Sequence, residues 1–180
     1  MRSFGFPPIA SPLARALILG TLPGQVSLTR GEYYANPQNA FWKIVATRFP
    51  DLSPDYASRC AALANHGVAL WDVLAAATRS GSLDAAIQND AVANNFRAFF
   101  HAYPMIRQIY FNGATAGKLY ARHVMPALTD QQRALVKHTL PSTSGAHANL
   151  NFSQKAARWS IVWRGMDQKQ EPTMESRIEV

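Results

Sequence analysis

Apolar residues along the chain follow two different periods, which predict strands and helices in alternation. Short apolar runs are typical of buried strands, and the chain has four strand candidates, at 15–20, 68–74, 107–113 and 133–140. Apolar residues spaced three or four positions apart are typical of helices, and they mark the segments 39–49, 53–67, 94–103, 114–124 and 151–166. This order predicts one three-layer α/β/α domain, in which helices cover both faces of a central, four-stranded and mostly parallel sheet.

The ends of these segments carry helix-start and helix-stop residues. Ser53 as a cap, followed by Pro54, predicts the start of the second helix, and Gly67 predicts its end. A length of 180 residues suggests one domain. We expect that domain to cover residues 1–166 and the polar residues 167–180 to form a frayed C-terminal tail.

Four segments lie at the ends of the predicted strands. They are "GTLPG" (20–24), "WDVL" (71–74), "NGATA" (112–116) and "LPSTSGAHA" (140–148). In open parallel sheets, ligands bind in the crevice at the carboxyl ends of the strands. The sequence therefore predicts that all four segments meet at one edge and form a ligand site there.

The charge and the cysteine content indicate what kind of partner the protein can bind and which kinds of site it lacks. The 18 lysines and arginines against 11 acidic residues give a net charge of +7, which favours a polyanionic partner but also fits an ordinary soluble basic protein. Cys60 is the only cysteine, so an intramolecular disulfide and a thiolate metal cluster are excluded, and a reducing cytoplasm is compatible. The histidines show no ligand spacing, so we expect no metal. The N-terminal segment indicates neither a signal peptide nor a membrane span.

Six sequence pieces together carry a family resemblance. They are "LILGTLPG", "YYANPQNAFW", "GVALWDVL", "GSLDAAIQND", "FNGATA" and "LPSTSGAHA", in that order within residues 17–148. The chain resembles the uracil-DNA glycosylase superfamily, in particular its hypoxanthine-DNA glycosylase branch. The resemblance implies base flipping and hydrolysis of the N-glycosidic bond of a damaged base, without a metal or cofactor. It also implies a monomer whose partner is DNA containing deaminated bases, with no membrane or obligate protein partner.

The stretch "YYANPQNAFW" (33–42) supplies two candidate residues through this resemblance. Tyr34 matches an aromatic on which a flipped base stacks; the alternative is a core tyrosine under the loop. Many relatives position the attacking water with an aspartate or asparagine in the first motif, where this chain has Leu22. The resemblance offers Asn39 instead, whose amide oxygen can orient water toward C1′. The alternative role for Asn39 is a helix N-cap, and Asn36 is interpreted as a turn residue before a proline.

Residues at the ends of the first three strands are candidates for reading the base. Backbone N–H groups at Gly20 and Thr21 can face the carbonyl oxygen of the base, where charge grows as the base leaves. Asp72 can accept the N–H of hypoxanthine or uracil and repel the bare ring nitrogen of adenine or cytosine, or it can be a structural carboxylate. Asn112 can read the same base edge or tie a turn.

The segment "LPSTSGAHANL" resembles the second glycosylase motif. Ser142, Thr143 and Ser144 offer hydroxyl and amide groups to phosphates flanking the flipped nucleotide. Gly145 and Ala146 can enter the space that the base vacates, and Gly145 stands where the matched branch usually has proline. His147 is a candidate phosphate or transition-state contact, or a structural histidine. Leu140 replaces a polar residue of several relatives, which argues against fast uracil excision.

Two function classes follow from these residues. The first is a monofunctional DNA glycosylase for deaminated bases, with hypoxanthine preferred and uracil or mismatch-specific excision as the alternative. The second is a non-catalytic nucleic-acid-binding module on the same scaffold, suggested by the apolar residues at Leu22 and Leu140. Asn39 discriminates between the two classes, because a binding module does not need it.

Overall fold

The computed structural model describes residues 2–147 and 149–167, together with the side chains up to residue 164. Its strands are β1 (Arg2–Phe4), β2 (Ala16–Gly20), β3 (Val68–Asp72), β4 (Leu74–Thr78), β5 (Val92–Ala93), β6 (Gln108–Asn112) and β7 (Val136–Leu140). Its α-helices are α1 (Gln25–Arg30), α2 (Phe41–Arg48), α3 (Tyr56–Asn65), α4 (Phe96–Ala102), α5 (Ala114–His123), α6 (Asp130–Arg133) and α7 (Phe152–Asp167).

The central sheet has four parallel strands in the order β3-β2-β6-β7. Gly20 at the end of β2 pairs with Asp72 at the end of β3, and Asn112 at the end of β6 pairs with Leu140 at the end of β7. The chain leaves β2 in one direction to form β3 and later returns on its other side to form β6, so the strand order reverses there. Ligand crevices form where the strand order of a parallel sheet reverses.

Helices cover both faces of this sheet. Successive strand residues point to opposite faces: the Tyr110 hydroxyl donates to the main-chain oxygen of Ile161 in α7, whereas the Phe111 ring lies 5.2 Å from that of Tyr120 in α5. Helix α2 packs with α7 through Phe41 and Trp159, and α4 packs with α5. The α/β/α fold class predicted from the pattern is confirmed.

A second, small antiparallel sheet, β1-β4-β5, was not predicted. The predicted strand 68–74 ends at Asp72, and the chain continues after Val73 into β4. The predicted strand 133–140 was wrong at its start, because Asp130–Arg133 forms α6 behind a Thr129 capping box and β7 begins at residue 136. Helix α3 begins at Tyr56 and is capped by Asp55 rather than Ser53, because the Asp55 carboxylate accepts the Ser58 N–H.

The predicted tail from residue 168 onward lies outside the described residues, and the domain division at residue 166 stays a prediction. Within the described residues, no helix combines the length and the apolar content that crossing a membrane requires.

Candidate active site

A cavity of about 410 Å³ opens at the carboxyl ends of β2, β3 and β6. All four predicted segments contribute to its wall, as expected for strand ends of one parallel sheet. Ten of the predicted site residues line it: Gly20, Thr21, Tyr34, Asn39, Asp72, Asn112, Ser142, Thr143, Ser144 and His147. Gly145 lies outside this lining, where it packs against Gln38.

Tyr34 lies in the cavity wall with a backbone conformation that a bulky side chain rarely adopts. Its φ angle is 56°, and no other non-glycine residue of the described chain has a positive φ. Its ring stacks on that of Phe41 at a centroid distance of 4.2 Å. Strained residues of this kind are concentrated at ligand sites, and Phe41 fixes the plane in which Tyr34 can meet a ligand.

Gly20 allows two polar side chains to meet at the floor of the cavity. A Cβ at this position would overlap Asp72 Oδ1 and would lie 2.8 Å from the Tyr34 hydroxyl oxygen. Any side chain at residue 20 would therefore displace both groups. Gly20, the first glycine of "GTLPG", is thus required by close packing at the end of β2.

Asp72 is a buried carboxyl group with an unused oxygen. Only 3% of the residue is exposed, and Oδ2 has no hydrogen-bond partner among the described residues. Burial and, to a smaller extent, the nearby Asp84 raise the pKa of Asp72 to about 7, although Arg79 acts in the opposite direction. Near neutral pH, Asp72 is therefore divided between an acceptor-only carboxylate and a neutral carboxyl group that can also donate.

Arg79 and Asp84 are site residues that the sequence reasoning did not identify. Arg79 is 1% exposed, and its guanidinium donates to the main-chain oxygens of Leu22 and Pro23 in the turn after β2. It also pairs with Asp84 at 3.6 Å, and Asp84 Oδ1 accepts the Thr21 hydroxyl at 2.6 Å. Burial raises the pKa of Asp84, while Thr21, Arg79 and His147 oppose that shift. This network fixes the shape of the "GTLPG" turn.

Asn39 combines a place in the cavity wall with a bond to the start of α2. Its side-chain oxygen accepts the Phe41 N–H at 2.9 Å. The N-cap of α2 is Ala40, so the N-cap role considered for Asn39 is wrong, but the bond to Phe41 fixes the orientation of the Asn39 amide. Asn36 lies in a turn, where its side-chain oxygen accepts the Gln38 N–H at 2.9 Å.

Asn112 and Thr143 are joined by two hydrogen bonds. The Asn112 amide donates to the Thr143 hydroxyl and accepts the Thr143 N–H, both at 2.8 Å. The Thr143 main-chain oxygen accepts the Ala40 N–H at 2.9 Å, which joins the second motif to the segment that carries Asn39. Thr143 is fully buried, and both its hydroxyl and its N–H are bonded to Asn112, so it connects three parts of the site. Its contact with phosphate stays a prediction.

Three further second-motif residues, Ser142, Ser144 and His147, also line the cavity. The Ser142 and Ser144 hydroxyls accept backbone N–H groups within the loop, from Ser144 and Ala146, and His147 is exposed. The Lys155 ammonium, in a residue only 6% exposed, donates to the Ser144 main-chain oxygen at 3.3 Å. Lys155 was also not predicted, because its position on the last helix gives no sign that it reaches this loop.

A second groove adjoins the cavity between β7 and α7. It has a volume of about 800 Å³ and shares Gly113, Ala114, Ser142 and His147 with the first. Its other wall residues include the basic side chains Lys137, Lys155 and Arg158. The cavity that holds the predicted site is thus continuous with a positively charged surface.

Comparison with known families and proteins agrees with this geometry. The sequence model described as the Uracil DNA glycosylase superfamily matches residues 7–164. A Hypoxanthine DNA glycosylase from Methanosarcina acetivorans is 34% identical over 163 residues, which cover 89% of this chain and 97% of that protein. A Hypoxanthine DNA glycosylase from Methanosarcina barkeri is 32% identical over 166 residues, which cover 91% of this chain and 99% of that protein.

A solved structure is similar over the same extent. It is a solution NMR structure, from Methanosarcina acetivorans, of a protein described as a candidate uracil DNA glycosylase. The TM-score is 0.76 at 32% sequence identity, and the alignment covers 92% of this chain and 99% of that one.

Proposed function

We propose, from the premise that this chain belongs to the uracil-DNA glycosylase superfamily and is a DNA glycosylase, that it removes hypoxanthine from DNA after flipping the nucleotide. The observation that carries the proposal is the cavity at the carboxyl ends of the sheet, in which Tyr34, Asn39 and Asp72 come together. Its volume lies within the range of pockets for small organic ligands. The two relatives named Hypoxanthine DNA glycosylase support the choice of base.

The flipped base stacks on Tyr34. The tyrosine ring is backed by Phe41, so its exposed face is presented in a fixed plane. Base–aromatic stacking contributes about 1–3 kcal/mol and does not depend on which base is stacked. Tyr34 therefore supplies affinity, and the choice of base depends on groups at the edge of the ring.

Asp72 reads the lactam edge of hypoxanthine. That edge presents the N1–H donor beside the O6 acceptor. A neutral carboxyl group can accept the first and donate to the second, and the pKa of about 7 makes this form available near neutral pH. Adenine places an amino group where hypoxanthine has O6, so its hydrogens face any backbone N–H donors at Gly20 and Thr21. This donor–donor contact disfavours the undamaged base.

Hydrolysis breaks the C1′–N9 bond while the oxygen of a water molecule bonds to C1′. The electron pair of the broken bond leaves with the base, and the proton that the water loses ends on a ring nitrogen of the base, which is released neutral. Asn39 positions the water through its side-chain amide, which the Phe41 N–H holds in place. The same amide oxygen faces the positive charge that develops on the sugar, while donation from neutral Asp72 to O6 stabilises the negative charge on the base.

Uracil is the second candidate substrate. Its N3–H beside a carbonyl oxygen presents the same donor and acceptor pair, and the structural neighbour is described as a candidate uracil DNA glycosylase. Leu140, at the start of the second motif, is 6% exposed and apolar. It removes one hydrogen bond to the departing base, so we place uracil after hypoxanthine. The non-catalytic binding module is superseded, because the chain is a DNA glycosylase.

The decisive experiment is single-turnover excision from oligonucleotides that carry one hypoxanthine, uracil, xanthine or mismatched base. Alkali cleaves the strand at the abasic site, so the product is read as a shorter strand. We expect the fastest cleavage with hypoxanthine and slower cleavage with uracil. Cleavage of uracil alone would overturn the proposed base preference.

A further inference from the structure

Lys155 on α7 is a buried cation that has no acidic partner. The residue is only 6% exposed, and no carboxylate forms an ion pair with it among the side chains that the structure describes. Burial lowers the pKa of Lys155, and no acidic group opposes this shift. Lysines are almost never fully buried unless they are paired, because an unpaired buried charge is costly. The position of this ammonium therefore favours an anionic ligand.

The ammonium of Lys155 has hydrogen-bond donors to spare. It carries three N–H donors, and among the described residues its one acceptor is the Ser144 main-chain oxygen, at 3.3 Å. The same oxygen accepts the His147 N–H at 3.1 Å, so the lysine is not needed to satisfy it. This arrangement leaves two donors for a ligand, while the third contacts the loop 142–147 of the second motif.

Lys155 and Arg158 line the groove between β7 and α7. Neither is part of the lining of the cavity described above. They are three residues apart on α7, which places them on one face of the helix. Lys137 on β7 already donates to the main-chain oxygens of Arg133 and Leu135. Lys155 and Arg158 are therefore the pair of groove cations that can take an anion.

The groove and the cavity differ in charge. No acidic residue is among the described residues that line the groove, whereas Asp72 and Asp84 line the cavity. The two walls meet at Ser142 and His147, which belong to both. A nucleotide whose base enters the cavity stays joined to its phosphates, and these remain outside. A phosphate is repelled near Asp84, so the acid-free groove is the more favourable place for it.

We propose that Lys155 and Arg158 hold a backbone phosphate of the substrate strand, close to the nucleotide whose base occupies the cavity. This inference rests on the proposed function, because it assumes that a nucleotide enters the cavity. A phosphate offers several strong acceptor oxygens, so it satisfies the remaining donors of Lys155 and pairs its buried charge. Lys155 then bonds to the phosphate and to the Ser144 oxygen together, so the bound strand also positions the second-motif loop.

The test uses a duplex that carries one 2′-fluoro-deoxyinosine, which resists hydrolysis, so that binding is measured without excision. Each phosphate near this nucleotide is replaced in turn by an uncharged methylphosphonate. For wild type, we expect one replacement to weaken binding roughly tenfold, since hydrogen bonds to charged groups are strong. Lys155→Met should weaken binding of the unmodified duplex about equally, and the same methylphosphonate should then cost nothing further. Its slope of log affinity against log salt concentration should be shallower by roughly 1.

Arg158→Met should lose its sensitivity to the same phosphate, and because Arg158 is exposed, this variant tests the proposal even if Lys155→Met does not fold. Lys118→Met is the matched control. Lys118 is exposed on α5, which covers the other face of the sheet, and it lines neither the groove nor the cavity. This control should leave the affinity, the methylphosphonate pattern and the salt slope as in wild type.

Two results would overturn the proposal. If no methylphosphonate weakens wild-type binding, the groove holds no backbone phosphate. If both variants keep the full wild-type loss at every position, Lys155 and Arg158 serve only the protein, and an anion bound by them does not come from the strand. The proposed function fails separately, because it requires wild type to excise hypoxanthine from an unmodified deoxyinosine duplex, which the binding measurements do not involve.

Discussion

At the scale of single residues, Asn39 combines a proposed catalytic role with a structural hydrogen bond, and a matched control variant can separate the two. Asn39→Ala removes both the water-positioning amide and the bond to the Phe41 N–H. We expect single-turnover excision to fall on the order of 100-fold or more, because the water loses its positioning group. DNA affinity should stay close to that of wild type, since the residues proposed to contact phosphate are elsewhere. Filter binding and single-turnover kinetics measure the two quantities.

Asn95→Ala is the control for the structural part of this change. The Asn95 side chain accepts the Ala98 N–H at the start of α4, and the residue is not part of the cavity lining. Loss of such a cap costs about 1 kcal/mol of stability. Asn95→Ala should therefore lower the melting temperature as Asn39→Ala does, while excision stays intact. Retention of most of the wild-type rate by Asn39→Ala would refute the catalytic assignment.

Asp72 gives the site a pH dependence whose direction follows from its pKa of about 7. If the neutral carboxyl group donates to the leaving base, the wild-type rate falls as pH rises through about 7 and the proton is lost. The amide of Asp72→Asn offers a donor and an acceptor at every pH, so its rate should be independent of pH from about 6 to 8.5. A wild-type rate that rises over this range would show that the ionised carboxylate is the active form.

The stability of the same variant gives an independent measurement. The native state binds the Asp72 proton more tightly than the unfolded chain does, so its contribution to the free energy of unfolding falls as pH rises from about 4 to about 7. Asp72→Asn has no titrating carboxyl group, so it does not lose this contribution to the free energy of unfolding as pH rises. We expect it to be more stable than wild type at pH 8, by up to roughly 4 kcal/mol, and about equal at pH 4. Denaturant unfolding at the two pH values checks the sign.

At the scale of elements, the turn after β2 depends on one buried side chain. Arg79→Met keeps much of the volume but removes the donors to the Leu22 and Pro23 oxygens and the partner of Asp84. Unpaired buried polar groups are costly, so we expect a loss of about 3–5 kcal/mol in stability. Excision should fall more than DNA binding, because the turn forms the cavity floor.

Arg107→Met is the matched control for this prediction. Arg107 also donates to main-chain oxygens, those of Pro104 and Ile106, but it is exposed and precedes the amino end of β6. Its loss should cost little stability and no excision. Similar losses in the two variants would mean that the Arg79 network has no special role in the turn.

The sequence predicted the elements that have a clear period and missed those that depend on distant partners. The four central strands were predicted from their short apolar runs, and five of the helices were predicted because their apolar positions repeat every three or four residues. β1 and β4 are short and pair across more than 70 residues, with Arg2 opposite Thr78, and the run "LAAAT" of β4 shows no alternation. The Thr129–Gln132 capping box of α6 is a local signal that the pattern analysis could have used.

At the scale of the whole molecule, the parallel sheet explains why the site was predictable in outline. Parallel strands place their carboxyl ends at one edge, so residues from segments far apart in sequence, such as Gly20 and Asn112, meet in one cavity. Arg79, Asp84 and Lys155 were not predicted. A charged residue is normally exposed, and only the fold shows that these three have partners inside the site.

The charge of the molecule should make DNA binding steeply dependent on salt. The net charge is +7, and a basic groove adjoins the cavity. Each phosphate neutralised releases counterions and contributes about −0.9 to the slope of log affinity against log salt concentration.

Arg158 lines the groove, so Arg158→Met should make the slope shallower by roughly 1. The change should be equal for duplexes with and without deoxyinosine, because phosphate contacts carry no sequence information. Arg107→Met, at the opposite edge of the sheet, should leave the slope unchanged. Fluorescence anisotropy at a series of salt concentrations measures these slopes. An affinity that does not change with salt would exclude phosphate contacts as the main source of binding, whereas an unchanged slope in Arg158→Met alone would exclude the groove as the path of the strand.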